Sequence, residues 1–264
     1  SLLGVSDAVR DDMRRCLPKW PAARIQTLYN RIDVEALQAS QVSFAEARDA
    51  LGLSPDAWVV GNVGRLHPDK DQATLLHGFA QALPRLPANS QLAILGTGRL
   101  EQDLKELARE LGIGDRVLFL GQVPEARRYF RAFDVFALSS DHEPFGMVLL
   151  EAMAAQTPVV ASDIDGYNIV VTDNVDGVLV PPGDPAALAH AVQSVVDDPL
   201  FRQRLVAGGD ARAAQLSMQS LALRYLEIYR AVLIAEAEER IVVQPSTLVR
   251  YFEDRLLRRP RFAR

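Results

Sequence analysis

Trp58-Val59-Val60-Gly61-Asn62-Val63-Gly64 is a short, mostly apolar run closed by glycine. Gln72–Leu83 follows with apolar residues at helical spacing, and Gln91-Leu92-Ala93-Ile94-Leu95-Gly96 is a second run of the first kind. Strand, helix and strand in that order form a βαβ unit and imply a parallel sheet. The alternation continues outward. Arg116–Gly121, Asp134–Ser140, Pro158–Asp163 and Gly177–Pro181 read as strands, and Leu100–Leu111, Glu125–Ala132 and Gly146–Ala155 as helices. Continuous apolar runs such as Val117-Leu118-Phe119-Leu120 suit strands covered on both faces. Right-handed crossovers then give an α/β fold with a Rossmann-like, doubly wound parallel sheet. Beyond Pro185, Ala186–Val196, Leu200–Ala214 and Met218–Glu239 read as additional C-terminal helices. Ahead of Trp58, Asp7–Leu17 and Phe44–Leu51 read as helices and Ile25–Tyr29 as a short strand. The tail from Ile241 to Arg264 is basic at its end; a solvated helix with a frayed end accounts for it, and contact with an anionic surface is the other use of such charge.

The composition narrows the chemistry. The chain has 264 residues, a formal charge of −5 and a pI near 5.5, enough for one or two domains with a sizeable core. The acidic balance argues against nucleic acid as a partner. One cysteine, Cys16, permits no disulfide framework, and His67, His77, His142 and His190 are scattered without metal-ligand spacing. No apolar run reaches membrane-spanning length and no signal peptide is recognisable, so a cytoplasmic location is expected. The chain opens Ser1-Leu2-Leu3-Gly4 rather than with Met, which points to a cut-down protein.

In an open parallel sheet, ligands bind outside the carboxyl ends of the strands. Those ends read Gly64-Arg65 with Lys70, Gly96-Thr97-Gly98-Arg99, Gly121-Gln122-Val123, Ser139-Ser140-Asp141-His142-Glu143 and Ser162-Asp163. Arg65 offers a planar fork and Lys70 a point charge for phosphate, although an ordinary polar loop would also contain such a pair. Gly96-Thr97-Gly98 lacks the third glycine of a dinucleotide fingerprint, because Glu101 stands there, so a nicotinamide or flavin enzyme is not indicated. Phe145-Gly146-Met147 begins a helix, where free N–H groups and the helix dipole favour an anion. Glu143 precedes that start and Glu151 lies two turns in, so both carboxylates can face the rim. Glu151 sits amid Met147, Val148, Leu149, Leu150, Ala152, Met153 and Ala154, an environment that accepts a carboxylate when a partner hydrogen-bonds to it.

Together these residues resemble the C-terminal, donor-binding half of a retaining glycosyltransferase of the two-domain GT-B fold, glycosyltransferase family 4. The resemblance runs from about Ser6 to Tyr229. It is carried by Val63-Gly64-Arg65-Leu66 with Lys70, by Gly96-Thr97-Gly98, by Val117–Gly121 and Asp134-Val135-Phe136, by Glu143 and Glu151 with seven residues between them, and by Thr157-Pro158-Val159-Val160-Ala161-Ser162. Asp176-Gly177-Val178-Leu179-Val180-Pro181-Pro182-Gly183-Asp184 completes it.

The resemblance implies that Gly64, Arg65 and Lys70 meet the donor diphosphate, that Glu151 takes the ribose hydroxyls, and that Glu143 with the amides of Phe145, Gly146 and Met147 holds the sugar and its phosphate. Arg99 and Val123 would lie near the base pocket, Gly96 and Gly98 would belong to the donor-binding set by allowing close backbone approach, and Arg65, Lys70 and Glu143 would be the catalytic set. It implies a nucleotide-sugar donor, UDP-sugar first and GDP-sugar next, and no metal or cofactor. It implies a glycan or lipid-linked acceptor such as lipopolysaccharide core, and peripheral contact with the inner face of the membrane. Residues 1–33 would be a remnant of an N-terminal acceptor domain and the connection from it, 34–215 the nucleotide-sugar domain, and 216–264 a helix returning to the absent domain plus a basic tail. Alone, such a chain would bind donor and catalyse little.

Two departures stand out. The family's Gly-Gly-x-x-Glu after the fifth strand reads Asp165-Gly166-Tyr167-Asn168-Ile169, and its Asn-Gly-Ile-Asp reads Asn30-Arg31-Ile32-Asp33. Asp163-Ile164-Asp165 matches the metal-binding motif of another glycosyltransferase class, a three-residue match that chance often supplies. A nucleotide-sugar 2-epimerase on the same fold and a non-catalytic nucleotide-sugar-binding domain remain alternatives.

Overall fold

Ser6 opens the first helix by accepting a hydrogen bond from the amide of Val9, as an N-cap serine should. The computed structural model describes residues 2–238. Strand β1 (Leu2–Gly4) pairs in parallel with β2 (Ile25–Thr27) across helix α1 (Asp7–Cys16). Met13, Leu17 and Ile25 are buried between them. Among the described residues, 2–29 with 221–238 form one unit and Asn30–Ser220 form another.

The second unit begins with α2 (Val34–Ser40), capped by the Asp33 carboxylate, and α3 (Phe44–Ala50), which carries a full capping box between Ser43 and Glu46. Strands and helices then alternate: β3 (Val59–Val63), α4 (Gln72–Ala82), β4 (Gln91–Leu95), α5 (Glu101–Glu110), β5 (Val117–Gly121), β6 (Val135–Leu138), α6 (Met147–Ala154), β7 (Val159–Ser162), α7 (Asp165–Asn168) and β8 (Val178–Val180). Helices α8 (Pro185–Asp197), α9 (Pro199–Gln215) and α10 (Met218–Glu238) follow. The six strands form one parallel sheet in the order β5-β4-β3-β6-β7-β8. This is the doubly wound arrangement expected from the alternation, with all six anticipated strands in place.

Side chains alternate across the strands. Val60, Leu92, Ile94 and Val135 pack with Leu75, Leu76 and Phe79 of α4, Leu104 of α5 and Leu188 of α8. Phe136, one residue on from Val135, joins Phe130 and Phe133 in an aromatic cluster; the Phe130 and Phe136 centroids lie 5.0 Å apart, edge to face. Such pairs contribute ~0.5–1.5 kcal/mol beyond the area they bury.

Three elements differ from the sequence expectation. Glu125–Ala132 is expected as an α-helix, but Ala126–Ala132 is a 3₁₀ run. Glu125 at its start has φ +49°, outside the helical region, and the bonds that close the run's ends span three residues (Arg128 N to Glu125 O, Phe133 N to Phe130 O). Helix α2 is unanticipated, although Asp33 is a legible cap. The short α7 lies inside the segment that departs from the family pattern. The basic tail from Ile241 lies outside the described residues.

The ladder between β3 and β6 is short: only Val60↔Val135 and Gly61↔Phe136 are paired. Side chains close the seam instead. At its amino end the fully buried Arg48 of α3 donates to the carbonyls of Ala132, Ser54, Pro55 and Ala57 and pairs with Asp134 Oδ2 at 2.8 Å. Asp134 Oδ2 also accepts from the Val59 amide at 2.8 Å. Farther along, buried Asn62 donates to the Ala137 carbonyl at 2.8 Å.

Candidate active site

At the carboxyl end of that seam the connections part. The chain leaves β3 toward α4 and β4, whereas it leaves β6 toward α6 and β7. The divergence opens a crevice, the place where doubly wound sheets take ligands. Gly64, Arg65 and Lys70 come to it from β3, and Ser139 to Gly146 from β6.

Buried Leu66 fixes the first loop, with its amide bonded to the Thr97 carbonyl at 3.0 Å. Gln72, buried at the start of α4, donates to the Arg65 carbonyl at 2.9 Å. Arg65 is itself exposed, and its guanidinium meets no carboxylate or carbonyl among the described residues. Lys70 ends a 3₁₀ turn (Pro68–Lys70), and Asp71, left-handed at φ +41°, caps α4. The loop from β6 is stitched to this turn: Ser139 Oγ donates to the carbonyls of Lys70 (3.1 Å) and Asp71 (2.7 Å), and the Asp141 amide to that of Asp69 (3.2 Å). The result is a direct ion pair between Lys70 Nζ and Glu143 Oε2.

The third loop, 96–99, leans on the first. A side chain on Gly96 (φ +141°) would lie 1.9 Å from the Gly64 carbonyl oxygen, and one on Gly98 would lie 2.2 Å from that of Leu66. Both glycines are therefore accounted for by loop packing on loop. Gly64 differs: its backbone is not left-handed and a side chain there would meet nothing within 4 Å. Arg99 is exposed, and Val123, two residues beyond Gly121, is half-buried.

Helix α6 starts at Gly146 without a side-chain cap, and Phe145 and Gly146 are buried while Met147 is half-covered. Glu151 lies on its second turn, half-buried, with no hydrogen bond or ion pair to its carboxylate among the described residues. Burial pushes its carboxyl above the ordinary range, and the positive charge of Arg127 partly offsets this. Three contributors to this architecture escaped the sequence reading: Ser139 and Ser140, visible only as small polar residues ending a strand, and Arg127. Asp163 of the Asp-x-Asp segment accepts a hydrogen bond from Asn168, and among the described residues no group of three His, Cys, Asp or Glu could hold a metal ion.

A family model described as glycosyl transferases group 1 matches residues 43–212, which contain both halves of this crevice. The chain belongs to that family. It is 32% identical over 222 residues to lipopolysaccharide core biosynthesis glycosyltransferase LpsD of Rhizobium meliloti, covering 81% of this chain and 62% of the relative. It is 36% identical over 220 residues to D-inositol 3-phosphate glycosyltransferase of Frankia alni, covering 80% and 54%. Among solved structures, Anabaena Alr3699/HepE in complex with UDP-glucose matches with a TM-score of 0.76 and 27% identity over 88% of this chain and 64% of that one. The chain thus spans somewhat over half the length of these relatives.

The loop after β3 carries the cations Arg65 and Lys70, and the loop after β6 with α6 carries the carboxylates Glu143 and Glu151. A diphosphate suits the first and sugar hydroxyls suit the second. No helix among the described residues is long and apolar enough to cross a membrane.

Proposed function

We propose that this chain is the nucleotide-sugar-binding part of a retaining glycosyltransferase that moves a sugar from a UDP-sugar to a bacterial cell-surface glycan such as lipopolysaccharide core. The observation that carries this is the meeting of Lys70 and Glu143 at the seam of the sheet, with Arg65, exposed and without a partner among the described residues, on the same loop as Lys70. In this reading residues 34–215 bind the donor, 1–33 and 216–264 belong with an acceptor-binding domain, and the enzyme works in the cytoplasm at the inner membrane face.

The roles follow from charge. Arg65 and Lys70 neutralise the diphosphate, and their attraction strengthens as negative charge grows on the leaving group. The start of α6 adds N–H groups and the positive end of its dipole. Gly64 lets backbone approach the phosphates, Glu143 accepts from sugar hydroxyls and Glu151 from the ribose. Arg99 and Val123 lie toward the base, and Gly96 and Gly98 let their loop pack closely on the one that carries Arg65. The names of LpsD and of a second Rhizobium meliloti relative, LpsE, support a polysaccharide acceptor; the D-inositol 3-phosphate glycosyltransferases support a phosphorylated inositol as a second reading.

Calorimetry of the chain with UDP, GDP and ADP tests the donor half of this reading. Saturable binding with UDP strongest supports it, and no binding of any nucleoside diphosphate overturns it. Product analysis after joining the chain to an acceptor domain, with each acceptor class supplied, separates the two acceptors.

A further inference from the structure

Asp165-Gly166-Tyr167-Asn168-Ile169 lacks the glutamate of the family pattern, and nothing in the roles above uses it. Its position gives it one. Tyr167 is fully buried, and its hydroxyl donates to Ser140 Oγ at 2.7 Å. The same ring lies where Gly146, at φ +89°, would place a side chain: a Cβ there would come within 2.7 Å of its Cδ1. Gly166 lies under the middle of the same loop, where a Cβ would sit 1.7 Å from the Glu143 carbonyl oxygen and 3.0 Å from the Phe145 amide nitrogen. Two adjacent residues thus touch the first, middle and last parts of the loop 140–146, which presents Glu143 and starts α6.

The support beneath them is rigid. The carbonyl of Tyr167 accepts from the amides of Val170 and Val171, and Arg212 of α9 donates to the carbonyls of Ile169 (2.6 Å) and Val170 (3.0 Å). Burial and the nearby Glu143 carboxylate both push the Tyr167 phenol far above its ordinary range, so it remains a donor at any physiological pH.

We propose that Gly166 and Tyr167 are positioning residues for the donor sugar: they form the bed on which loop 140–146 is cast, and so set where Glu143 meets the sugar hydroxyls. The inference rests on the donor reading above and deepens it. Because the bed holds the Glu143 peptide and Ser140, while Arg65 stands on the loop after β3, its loss weakens recognition of the sugar more than that of the nucleotide.

The test compares affinities for UDP and UDP-glucose by calorimetry in the parent chain, Tyr167→Phe, Ser140→Ala and the double variant, with thermal unfolding of each. Tyr167→Phe keeps the ring and removes only the hydroxyl bond. UDP-glucose should bind about ten-fold more weakly to each single variant and no more weakly to the double variant, with UDP changed less than about two-fold. Gly166→Ala, which lifts the Glu143 peptide, should lose UDP-glucose more completely while retaining UDP. A parent chain that binds neither ligand removes the donor reading and this inference together. A parent that binds both, with variants that weaken the two ligands equally or not at all, removes the inference alone.

Discussion

The ammonium of Lys70 and the carboxylate of Glu143 come from loops on opposite sides of the β3–β6 seam and meet with side chains only 20% and 21% exposed. A pair this sheltered offers little net stability, because the desolvation of both charges offsets their attraction. Its arrangement suits exchange instead. A phosphate that takes Lys70 leaves Glu143 in need of donors, and a sugar supplies them. Glu143→Gln should therefore leave UDP binding unchanged or tighter, since Lys70 is released, while UDP-glucose binding falls about ten-fold. Lys70→Ala should weaken both ligands. Calorimetry on the two variants reads this directly, and a parallel loss of both ligands in Glu143→Gln would sink the exchange.

Glu151 carries a pH signature. Its carboxyl is raised above the ordinary 4.5 by burial, so between the two values the native chain holds more protons than the unfolded one. Stability is then fullest below about 4.5, falls as pH rises through the raised value, and stays reduced above it. Glu151→Gln removes that penalty. Its melting temperature should match the parent near pH 4 and exceed it at pH 7, with ~2–4 °C for each kcal/mol relieved. Hydroxyls donating to the carboxylate favour its charged form, so UDP affinity of the parent should weaken as pH falls through the raised value, and Glu151→Gln should lose both affinity and pH dependence.

Gly64 and Gly96 separate two reasons for a glycine. Ala at position 96 forces a left-handed alanine against the Gly64 carbonyl and should cost ~2–3 kcal/mol of stability. Gly64→Ala places a methyl in open space, so its unfolding midpoint in urea should stay within ~0.5 kcal/mol of the parent. Its UDP affinity should nonetheless fall about ten-fold, because the methyl occupies the crevice. Equal UDP affinity would remove Gly64 from the site.

How far the sequence reached depends on the range of the interaction that sets each feature. The strands were legible because runs such as Val135-Phe136-Ala137-Leu138 and Val159-Val160-Ala161-Ser162 are buried throughout, and their ends delivered Arg65, Lys70, Glu143 and Glu151 as candidates. Val117-Leu118-Phe119-Leu120, expected to be covered on both faces, is instead the edge strand, with only Val117 buried. The 3₁₀ run at Ala126–Ala132 was not, because its geometry is set at the single left-handed Glu125. Neither Gly96 nor Tyr167 could be interpreted, since each is defined by backbone that lies far away in the chain: Gly64 for one, the 140–146 loop for the other. Arg48, on which the sequence offers no signal, is among the largest fully buried side chains of the described residues.

Arg48 tests the other end of the seam. Truncation to alanine removes the ion-pair partner of the Asp134 carboxylate and the donors to four carbonyls. The loss should be ~3–5 kcal/mol in urea unfolding. Since Arg48 lies at the amino ends of the strands, UDP affinity of the folded fraction should change little; a loss of affinity without a loss of stability would contradict that separation.

The two-rung ladder between β3 and β6 has a consequence for how the molecule assembles. β3 pairs with β4 over five rungs, and β6 with β7 over three, so each side of the sheet can organise from contacts close in sequence. Joining them requires closure of a loop of about seventy-five residues, whose entropic penalty is met by two rungs, by Asn62 and the Arg48 cluster, by the Ser139 bonds to the Lys70 turn and by the packing of Val135 with Val60 and α4. The crevice exists only after that closure. A nucleotide that spans it would bind the completed protein alone, hold the halves together by mass action, and serve as a reporter of the last event in folding.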